Sequence, residues 1–271
     1  MNMLKRVLNH IRYFRELPMG QLDDRPASAA FAGQTIPPYV YQTWESVFFG
    51  KTHLKEIEKF RDRNPDLSFI LFDKHLRDKY MKDFWGTREI YAIYQRTQFG
   101  PMKADIFRYC ILFERGGFYF DISKGCRAPI RSLCASESLA LISFESNDSI
   151  IPPDLAVAQQ LEHPDKLVLQ WGMGFAPQHP ILGRMIENIC LHYPYFRGRI
   201  YPSPKSAILR LTGPGMFTKS VRDAFKNEGL LNVAQAGIDF NGNGIFALKG
   251  SRVRYLTAAS YTKAKDCPIV L

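Results

Sequence analysis

The stretch from Lys103 to Asp121, KADIFRYCILFERGGFYFD, constrains the fold of this chain more than any other part of the sequence. Its first half has the spacing of an α-helix, in which successive residues are turned by roughly 100°. One broad face, predicted to meet the core, holds Ile106, Phe107, Cys110, Ile111 and Phe113. The opposite, largely polar face holds Asp105, Arg108, Tyr109 and Leu112. Gly116 and Gly117 then end the helix, because glycine tolerates the backbone conformation that a sharp turn into a strand requires.

A short strand with an acid at its end is predicted next. Residues 118–120, Phe-Tyr-Phe, favour a strand, and Asp121 follows them. Ligands of open α/β sheets bind beyond the carboxyl ends of the strands, so Asp121 is well placed to bind a metal ion or a sugar hydroxyl. A second interpretation stays open, in which Asp105 and Arg108 form a surface ion pair and Asp121 is an ordinary turn residue.

Length and composition bound the class of protein. A chain of 271 residues with 46% hydrophobic residues predicts one large folded domain, with or without an N-terminal extension. The net charge of +10 favours anionic partners, such as nucleoside diphosphates, anionic membranes or nucleic acids, without choosing among them. Five cysteines without a CxxC pair indicate neither a disulfide framework nor a zinc site, and they favour a reducing compartment.

The N-terminal part of the sequence predicts an amphipathic helix over residues 4–17 and a linker over residues 20–35. The helix has two interpretations: it lies on an anionic membrane surface, or it packs on its own domain. We find neither a secretory signal nor an apolar run long enough to span a bilayer. We therefore expect a cytoplasmic protein, with the inner face of the membrane as its alternative location.

Three motifs of this chain resemble the core of the DXD sugar transferases of family 32. These are Ala104-Asp105-x-x-Arg108, Gly116-Gly117 and Tyr119-x-Asp121. The family includes yeast-type initiating mannosyltransferases and capsular polysaccharide transferases, and the large clostridial glucosylating toxins are its relatives. The resemblance implies a GT-A fold, an α/β domain with a mixed, mostly parallel central sheet flanked by helices. We expect that domain to span residues 36–271, preceded by the helix and linker of residues 1–35.

The resemblance also implies a set of site residues. The segment Ile36–Trp44 is similar to the family's IPKIIHQTW, with tyrosine at position 41 in place of histidine, which implies that Gln42 and Trp44 hold the nucleotide base. Asp105 and Arg108 would bind sugar hydroxyls, and Tyr119 and Asp121 would meet the ribose, the sugar or a metal ion. The segment around Gly213 and Pro214 resembles the family's TGP motif, which borders the donor sugar and the acceptor.

The metal site departs from the family pattern. The family has Asp-x-Asp, and this chain has Asp121-Ile122-Ser123. A serine hydroxyl is a poorer ligand than a carboxylate for a hard divalent cation. Three outcomes stay open. In the first, Asp121, with Ser123 as a weak second ligand, holds the metal ion together with water and phosphate. In the second, another acid substitutes, and in the third, metal dependence is weakened or lost. The candidate substitutes are Glu145, Asp148 and Asp239, while Lys124 and Arg127 are either phosphate ligands or solvated surface charges.

Other segments support weaker expectations. Gly172-x-Gly174 lacks the third glycine of a dinucleotide fingerprint, which argues against a Rossmann cofactor site. A helix is predicted over Ile181–His192, followed by a proline-rich loop over 192–205 whose aromatic and basic residues are compatible with nucleic acid. No nucleic-acid-binding motif accompanies that loop, so we disfavour that function. Ala259-Ser260-Tyr261 is similar to the C-terminal ending of relatives but lacks its histidine and tryptophan.

The predicted function is retaining transfer of a hexose from a UDP- or GDP-linked sugar to a glycan or lipid-linked acceptor. The resemblance implies Asp105, Arg108 and Asp121 as catalytic residues and a manganese or magnesium ion as cofactor, the latter in question because of Ser123. Two alternatives stay open: a GT-A domain that binds a sugar nucleotide without transferring it, and a basic protein that binds membranes or nucleic acid.

Overall fold

The computed structural model describes residues 11, 13–31, 33–147, 151–228, 232–253 and 261–271, except for the side chain of Tyr261. Most of the predicted N-terminal amphipathic helix lies outside the described residues. The same is true of Asp148, Ser260 and the strand expected near residues 253–255, apart from Val253. None of the described helices has the length and apolar character needed to cross a membrane.

A six-stranded sheet forms the centre of the described structure. Its strands, in chain order, are β2 (Tyr39–Thr43), β4 (Ser68–Phe72), β5 (Gly117–Phe120), β7 (Ala140–Phe144), β8 (Gly172–Phe175) and β9 (Val233–Ile238). Their spatial order is β4-β2-β5-β8-β7-β9. β8 runs antiparallel to both its neighbours, and the other pairings are parallel. Two short antiparallel pairs join β1 (Gly20–Gln21) to β3 (Phe48–Phe49) and β6 (Gly125–Cys126) to β10 (Gly244–Ile245).

Helices cover both faces of the sheet. They are α1 (Lys51–Asp62), α2 (Lys74–Trp85), α3 (Glu89–Arg96), α4 (Gly100–Arg115), α5 (Pro180–Phe196), α6 (Pro204–Leu211) and α7 (Pro214–Glu228). Short 3₁₀ turns cover Ile130–Leu133, Ala158–Gln160, Ser251–Val253 and Tyr261–Lys263. Because side chains alternate along a strand, Tyr119 of β5 joins the core under α2 to α7, while Phe118 and Phe120 join the core on the side of α1. The predicted fold class, an α/β domain with a mixed, mostly parallel sheet flanked by helices, is confirmed.

The central helix differs from its prediction in one respect. α4 is buried on both faces, including Asp105, Arg108, Tyr109 and Leu112 on the side predicted to be largely polar. The reason is tertiary: the ring of Tyr109 stacks on that of Phe217 in α7, with ring centroids 5.6 Å apart. The Asp105–Arg108 pair is therefore a buried ion pair, and the interpretation as a surface pair is wrong.

The two glycines after α4 make the predicted turn. Gly116 and Gly117 have φ values of 65° and 102°, which side chains rarely tolerate. A Cβ atom on Gly116 would lie 2.7 Å from Cδ of Pro177, and one on Gly117 would lie 2.8 Å from the carbonyl oxygen of Tyr39. The turn therefore lets β5 start directly beside β2 and β8.

Two other segments differ from their predictions. Residues 20–31, predicted as part of a linker, are attached to the domain through β1, the buried Leu22 and paired backbone hydrogen bonds between Arg25 and Phe69. The domain boundary at residue 36 itself stays a prediction. α5 continues past His192 to Phe196 with Pro194 inside it, so the helix ends four residues later than predicted.

Gly172 and Gly174 serve packing within β8. A Cβ atom on Gly174 would lie 2.5 Å from Cδ1 of Phe118, and one on Gly172 would lie 2.9 Å from Cε1 of Phe120. These glycines make room for aromatic rings of the neighbouring strand, which agrees with the exclusion of a dinucleotide fingerprint.

We expect Gly174→Ala to lower the free energy of unfolding by about 1–3 kcal/mol, because the added methyl group overpacks the core. Urea denaturation measures the loss, and Phe118→Leu in the same chain should restore part of it; an unchanged stability would contradict this packing.

Candidate functional site

A cleft of about 1230 Å³ opens where β2 and β5 end. Thr43 and Trp44 line it from the end of β2, and Asp121 and Ser123 line it from the loop that follows β5. α4 contributes Asp105 and Arg108 to the lining. Its other lining residues include Glu45, Arg77, Tyr119, Lys124, Gln170, Leu209, Phe246, Arg252 and Lys263. The cleft therefore lies at the carboxyl ends of two parallel strands, as the sequence predicts.

Arg108 is a buried cation in the lining of the cleft. Its side chain is 4% exposed. Nη2 donates to Oδ1 of Asp121 at 3.0 Å and lies 3.1 Å from Oδ1 of Asp105, and Nη1 donates to the carbonyl oxygen of Gln170 at 3.0 Å. The guanidinium also lies 4.5 Å from the ring centroid of Tyr119. One buried cation therefore fixes two carboxylates in place.

Asp105 is occupied by the chain's own donors. Oδ2 accepts from Oγ1 of Thr212 at 2.9 Å, and Oδ1 accepts from Nε2 of Gln170 at 3.4 Å in addition to its contact with Arg108. Burial raises the pKa of Asp105 to about 7, although the Arg108 guanidinium and the Thr212 hydroxyl act in the opposite direction. For Arg108, burial lowers the pKa, but Tyr119, Asp121 and Asp105 outweigh it, so the net pKa is raised and the guanidinium stays charged.

Asp121 is the acid with capacity for a ligand. Its Oδ1 accepts from Arg108 and, at 3.0 Å, from Oη of Tyr119, while Oδ2 accepts no hydrogen bond from the described residues. The side chain is 31% exposed to the cleft. The loop that carries it is fixed by backbone hydrogen bonds from Asp121 to Trp171, from Lys124 to Asp121 and from Leu248 to Ser123. Asp121 is therefore a preoriented acceptor whose second oxygen faces the cleft.

The structure brings together most of the predicted site residues but not all of them. Trp44, Asp105, Arg108, Tyr119, Asp121 and Ser123 line the same cleft. Gln42 is fully buried and does not line it, because adjacent residues of β2 point to opposite faces of the sheet and the next residue, Thr43, faces the cleft. Gly213 and Pro214 also lie outside the lining, at the start of α7. The TGP segment contacts the site residues through Thr212, whose hydroxyl donates a hydrogen bond to Asp105.

Three residues of the site were not found from the sequence. Gln170 bonds to Asp105, Arg108 and Tyr109, and Thr212 bonds to Asp105. Arg77 is 1% exposed and donates to Oγ1 of Thr43 at 3.2 Å and to Oε1 of Glu45 at 3.0 Å. Thr212 stands first in the TGP motif, which was the available signal. Gln170 and Arg77 carry no local signal, because only the sheet order and helix packing bring them to the cleft.

The described residues do not fit a divalent-cation site built by the protein. No group of three or more His, Cys, Asp or Glu side chains gathers in the described part of the chain. Both oxygens of Asp105 accept from the chain's own donors, and Glu45 pairs with Arg77. Two of the candidate substitute acids, Glu145 and Asp239, do not line the cleft. Burial and the neighbouring Asp239 raise the pKa of Glu145, which Lys124 lowers in part.

The two candidate phosphate ligands, Lys124 and Arg127, lie in different parts of the structure. Lys124 lines the cleft, with Nζ 3.2 Å from the ring centroid of Phe246 and 5.5 Å from that of Trp171. Arg127 lies outside the cleft and donates to the carbonyl oxygens of Gly242 and Gly244, both at 3.3 Å. Lys124 therefore lies in the lining of the cleft, whereas Arg127 lies outside it and holds a surface loop in place.

Comparison with known proteins gives one family match. Residues 50–140 match the family model described as "Glycosyltransferase sugar-binding region containing DXD motif". This range contains Asp105, Arg108, Tyr119 and Asp121, and it excludes Trp44 and Thr212.

Similar curated proteins come from yeasts, and their names refer to mannosyl transfer or to mannosylated lipids. An initiation-specific alpha-1,6-mannosyltransferase of Candida albicans is 25% identical over 212 residues, which is 71% of this chain and 54% of that protein. Inositol phosphoceramide mannosyltransferase 2 of Schizosaccharomyces pombe is 25% identical over 48% of this chain and 37% of its own length. Mannosyl phosphorylinositol ceramide synthase CSH1 of Saccharomyces cerevisiae is 24% identical over 80% of this chain and 53% of its own length.

A solved structure, "PaToxG Glycosyltransferase", matches with a TM-score of 0.47 and 14% identity, over 81% of this chain and 76% of that one. The chain spans about half the length, or less, of the curated relatives it matches. The family model and the curated relatives confirm the resemblance to the DXD sugar transferases that the motifs predict.

Proposed function

We propose that this chain, a relative of the DXD glycosyltransferases, is a retaining hexosyltransferase that uses a nucleoside diphosphate sugar as donor. The observation that carries the proposal is the single cleft in which Trp44, the Arg108–Asp121 pair and Lys124 meet. An aromatic face suits a base, a carboxylate oxygen suits sugar or ribose hydroxyls, and a cation suits a diphosphate. The arrangement thus offers a partner for each chemical part of such a donor.

In the proposed reaction, the bond between the anomeric carbon and the phosphate oxygen of the donor breaks. A bond from the same carbon to the acceptor oxygen forms, and the proton of the acceptor hydroxyl passes to the leaving diphosphate. Negative charge develops on that diphosphate, so fixed cations beside it are the main catalytic demand. Asp121 would orient the donor through its Oδ2 atom, while Asp105 and Arg108 would hold Asp121 in place.

The acceptor and the location follow as proposals from the relatives. Two of those proteins are named as mannosyltransferases, one of them of inositol phosphoceramide, and the third is named as a mannosyl phosphorylinositol ceramide synthase. We therefore propose mannose as the first donor sugar to test and a glycan or lipid-linked hydroxyl as the acceptor. The chain would meet a lipid-linked acceptor at a membrane. We therefore propose a cytoplasmic location at the inner face of the membrane, with residues 4–17 in contact with that surface.

A donor screen tests this function. The full chain is mixed with UDP- and GDP-linked hexoses, with manganese and with EDTA, and thermal unfolding is recorded, since a ligand of the native state raises its stability. We expect one nucleoside diphosphate sugar to raise the melting temperature and to be hydrolysed or transferred. Absence of a shift with every donor would refute the proposal.

Trp44 supports a separate prediction about the nucleotide base. We expect Trp44→Ala to weaken donor binding by roughly 10-fold, because stacking on an aromatic side chain contributes about 1–3 kcal/mol per base. Trp44→Phe, which keeps a flat ring, should retain most of the affinity. Isothermal titration with the nucleoside diphosphate measures both variants, and equal losses in the two would show that the ring is not a base platform.

Ser123 favours one alternative function, a domain that binds a sugar nucleotide without transferring it. It stands where the family pattern has its second acid, and it lines the cleft. Product analysis separates the two functions: donor binding without release of free or transferred sugar would favour the binding domain.

A further inference from the structure

The charges of the cleft are unusual for a site that relies on a metal ion. Among its described lining residues, five are basic, namely Arg77, Arg108, Lys124, Arg252 and Lys263, and three are acidic, namely Glu45, Asp105 and Asp121. A divalent cation prefers several carboxylate oxygens. Asp105 and Glu45 are already bound to the chain's own donors, and Asp121 shares one oxygen with Arg108 and Tyr119.

The C-terminal residues that the structure does not describe contain no acid that could complete a metal site. Positions 254–260 read RYLTAAS, which contains no carboxylate, imidazole or thiol. Glu145 and Asp239 do not line the cleft. The family's second acid is replaced by Ser123, and no other acid of the described lining takes its place with a free pair of oxygens.

Three of the basic residues are placed to meet a ligand. Lys124 follows Asp121 by one turn, with its backbone N–H donating to the carbonyl oxygen of Asp121 at 2.8 Å. Its ammonium group lies against the faces of Phe246 and Trp171, which favour a cation without removing its charge. Arg252 and Lys263 are exposed side chains on the C-terminal wall of the same cleft, and neither forms a salt bridge with a described residue.

We propose that Lys124, together with Arg252 and Lys263, binds the diphosphate of the donor directly, so that donor binding does not depend on a divalent cation. The inference rests on the proposed function and deepens it. Charge-assisted hydrogen bonds from lysine and arginine to phosphate oxygens neutralise the same charge that a metal ion neutralises in relatives. When the sugar–phosphate bond breaks, these side chains stabilise the charge that develops on the leaving group.

Isothermal titration of the full chain with GDP and with UDP tests the proposal, in EDTA and in manganese chloride. We expect the Kd of the nucleotide that binds to agree within about threefold between the two conditions. Lys124→Met should raise that Kd by about 10-fold in EDTA, through loss of a charge-assisted contact. The matched control is Lys226→Met, an exposed lysine of α7 outside the cleft, which should leave the Kd unchanged.

Ser123→Asp provides a test in the opposite direction. The added carboxylate should weaken binding in EDTA by about 10-fold through repulsion of the diphosphate, and manganese should restore it. Thermal unfolding of each variant confirms that it is folded. Wild-type binding that appears only with manganese, or a Lys124→Met variant that binds as wild type in EDTA, would overturn the direct-contact proposal and leave the transferase proposal standing. Failure of both nucleotides to bind under either condition would refute both.

Discussion

Arg108→Met is expected to lower the free energy of unfolding by about 3–5 kcal/mol, because it leaves a buried carboxylate without its cation. Arg108 is 4% exposed and its partner Asp105 has a 7% exposed side chain, so water cannot replace the lost contact. Urea denaturation of the full chain measures the effect. Arg61→Met is the matched control: Arg61 is equally buried, but its nearest acid, Glu58, has a 42% exposed side chain that water solvates. The control should be the less destabilised variant.

The loss in Arg108→Met should also depend on pH. Burial already raises the pKa of Asp105 from 3.8 to about 7, and removal of Arg108 takes away a contribution that lowers it. A carboxyl group with a raised folded-state pKa binds its proton more tightly in the folded protein, so stability falls as pH rises through that pKa. We therefore expect the variant to be closer to wild type at about pH 5.5 than at about pH 8.

A double variant isolates the interaction itself. Arg108→Met combined with Asp105→Asn removes both buried charges, and it should be more stable than Arg108→Met alone. If the two losses simply add and neither varies with pH, the pair is not the buried ionic unit that the distances indicate.

Asp121→Asn is expected to reduce sugar transfer by roughly 10²- to 10³-fold while the chain stays folded. The amide keeps the size of the side chain, and its oxygen can still accept from Tyr119 and Arg108, but it lacks the second anionic oxygen that faces the cleft. The initial rate of transfer or hydrolysis, with the donor found in the screen, is the measurement. The matched control is Asp83→Asn on the surface of α2, where the aspartate pairs with Lys79.

The role of Asp121 is decided by comparing the donor affinity of the Asp121→Asn variant with its turnover rate. If Asp121 orients the donor for reaction, the variant loses turnover as well as affinity. Full activity of Asp121→Asn would exclude Asp121 from the donor site and, with it, the role proposed for the Arg108–Asp121 pair.

The local unit at the centre of this chain was predictable from the sequence because its determinants are local. The helix ends at two glycines whose positive φ values the turn needs, and a strand of three aromatic residues follows and delivers Asp121 to the edge of the sheet. The i,i+3 spacing of Asp105 and Arg108 brings their side chains together on any α-helix. The motif resemblance also predicted six residues that line the cleft, namely Trp44, Asp105, Arg108, Tyr119, Asp121 and Ser123.

What the tertiary structure decided is how those residues are used. A helical wheel shows which side chains share a face, but not what covers that face. The burial of Asp105 and Arg108 beside Thr212 and Gln170 could therefore not be predicted from α4 alone. The chain folds Gln170 and Thr212 onto Asp105 from far along the sequence. It also turns Gln42 away from the cleft and brings Arg252 and Lys263 to its wall. These contacts join segments far apart in sequence, and only the strand order and helix packing bring them together.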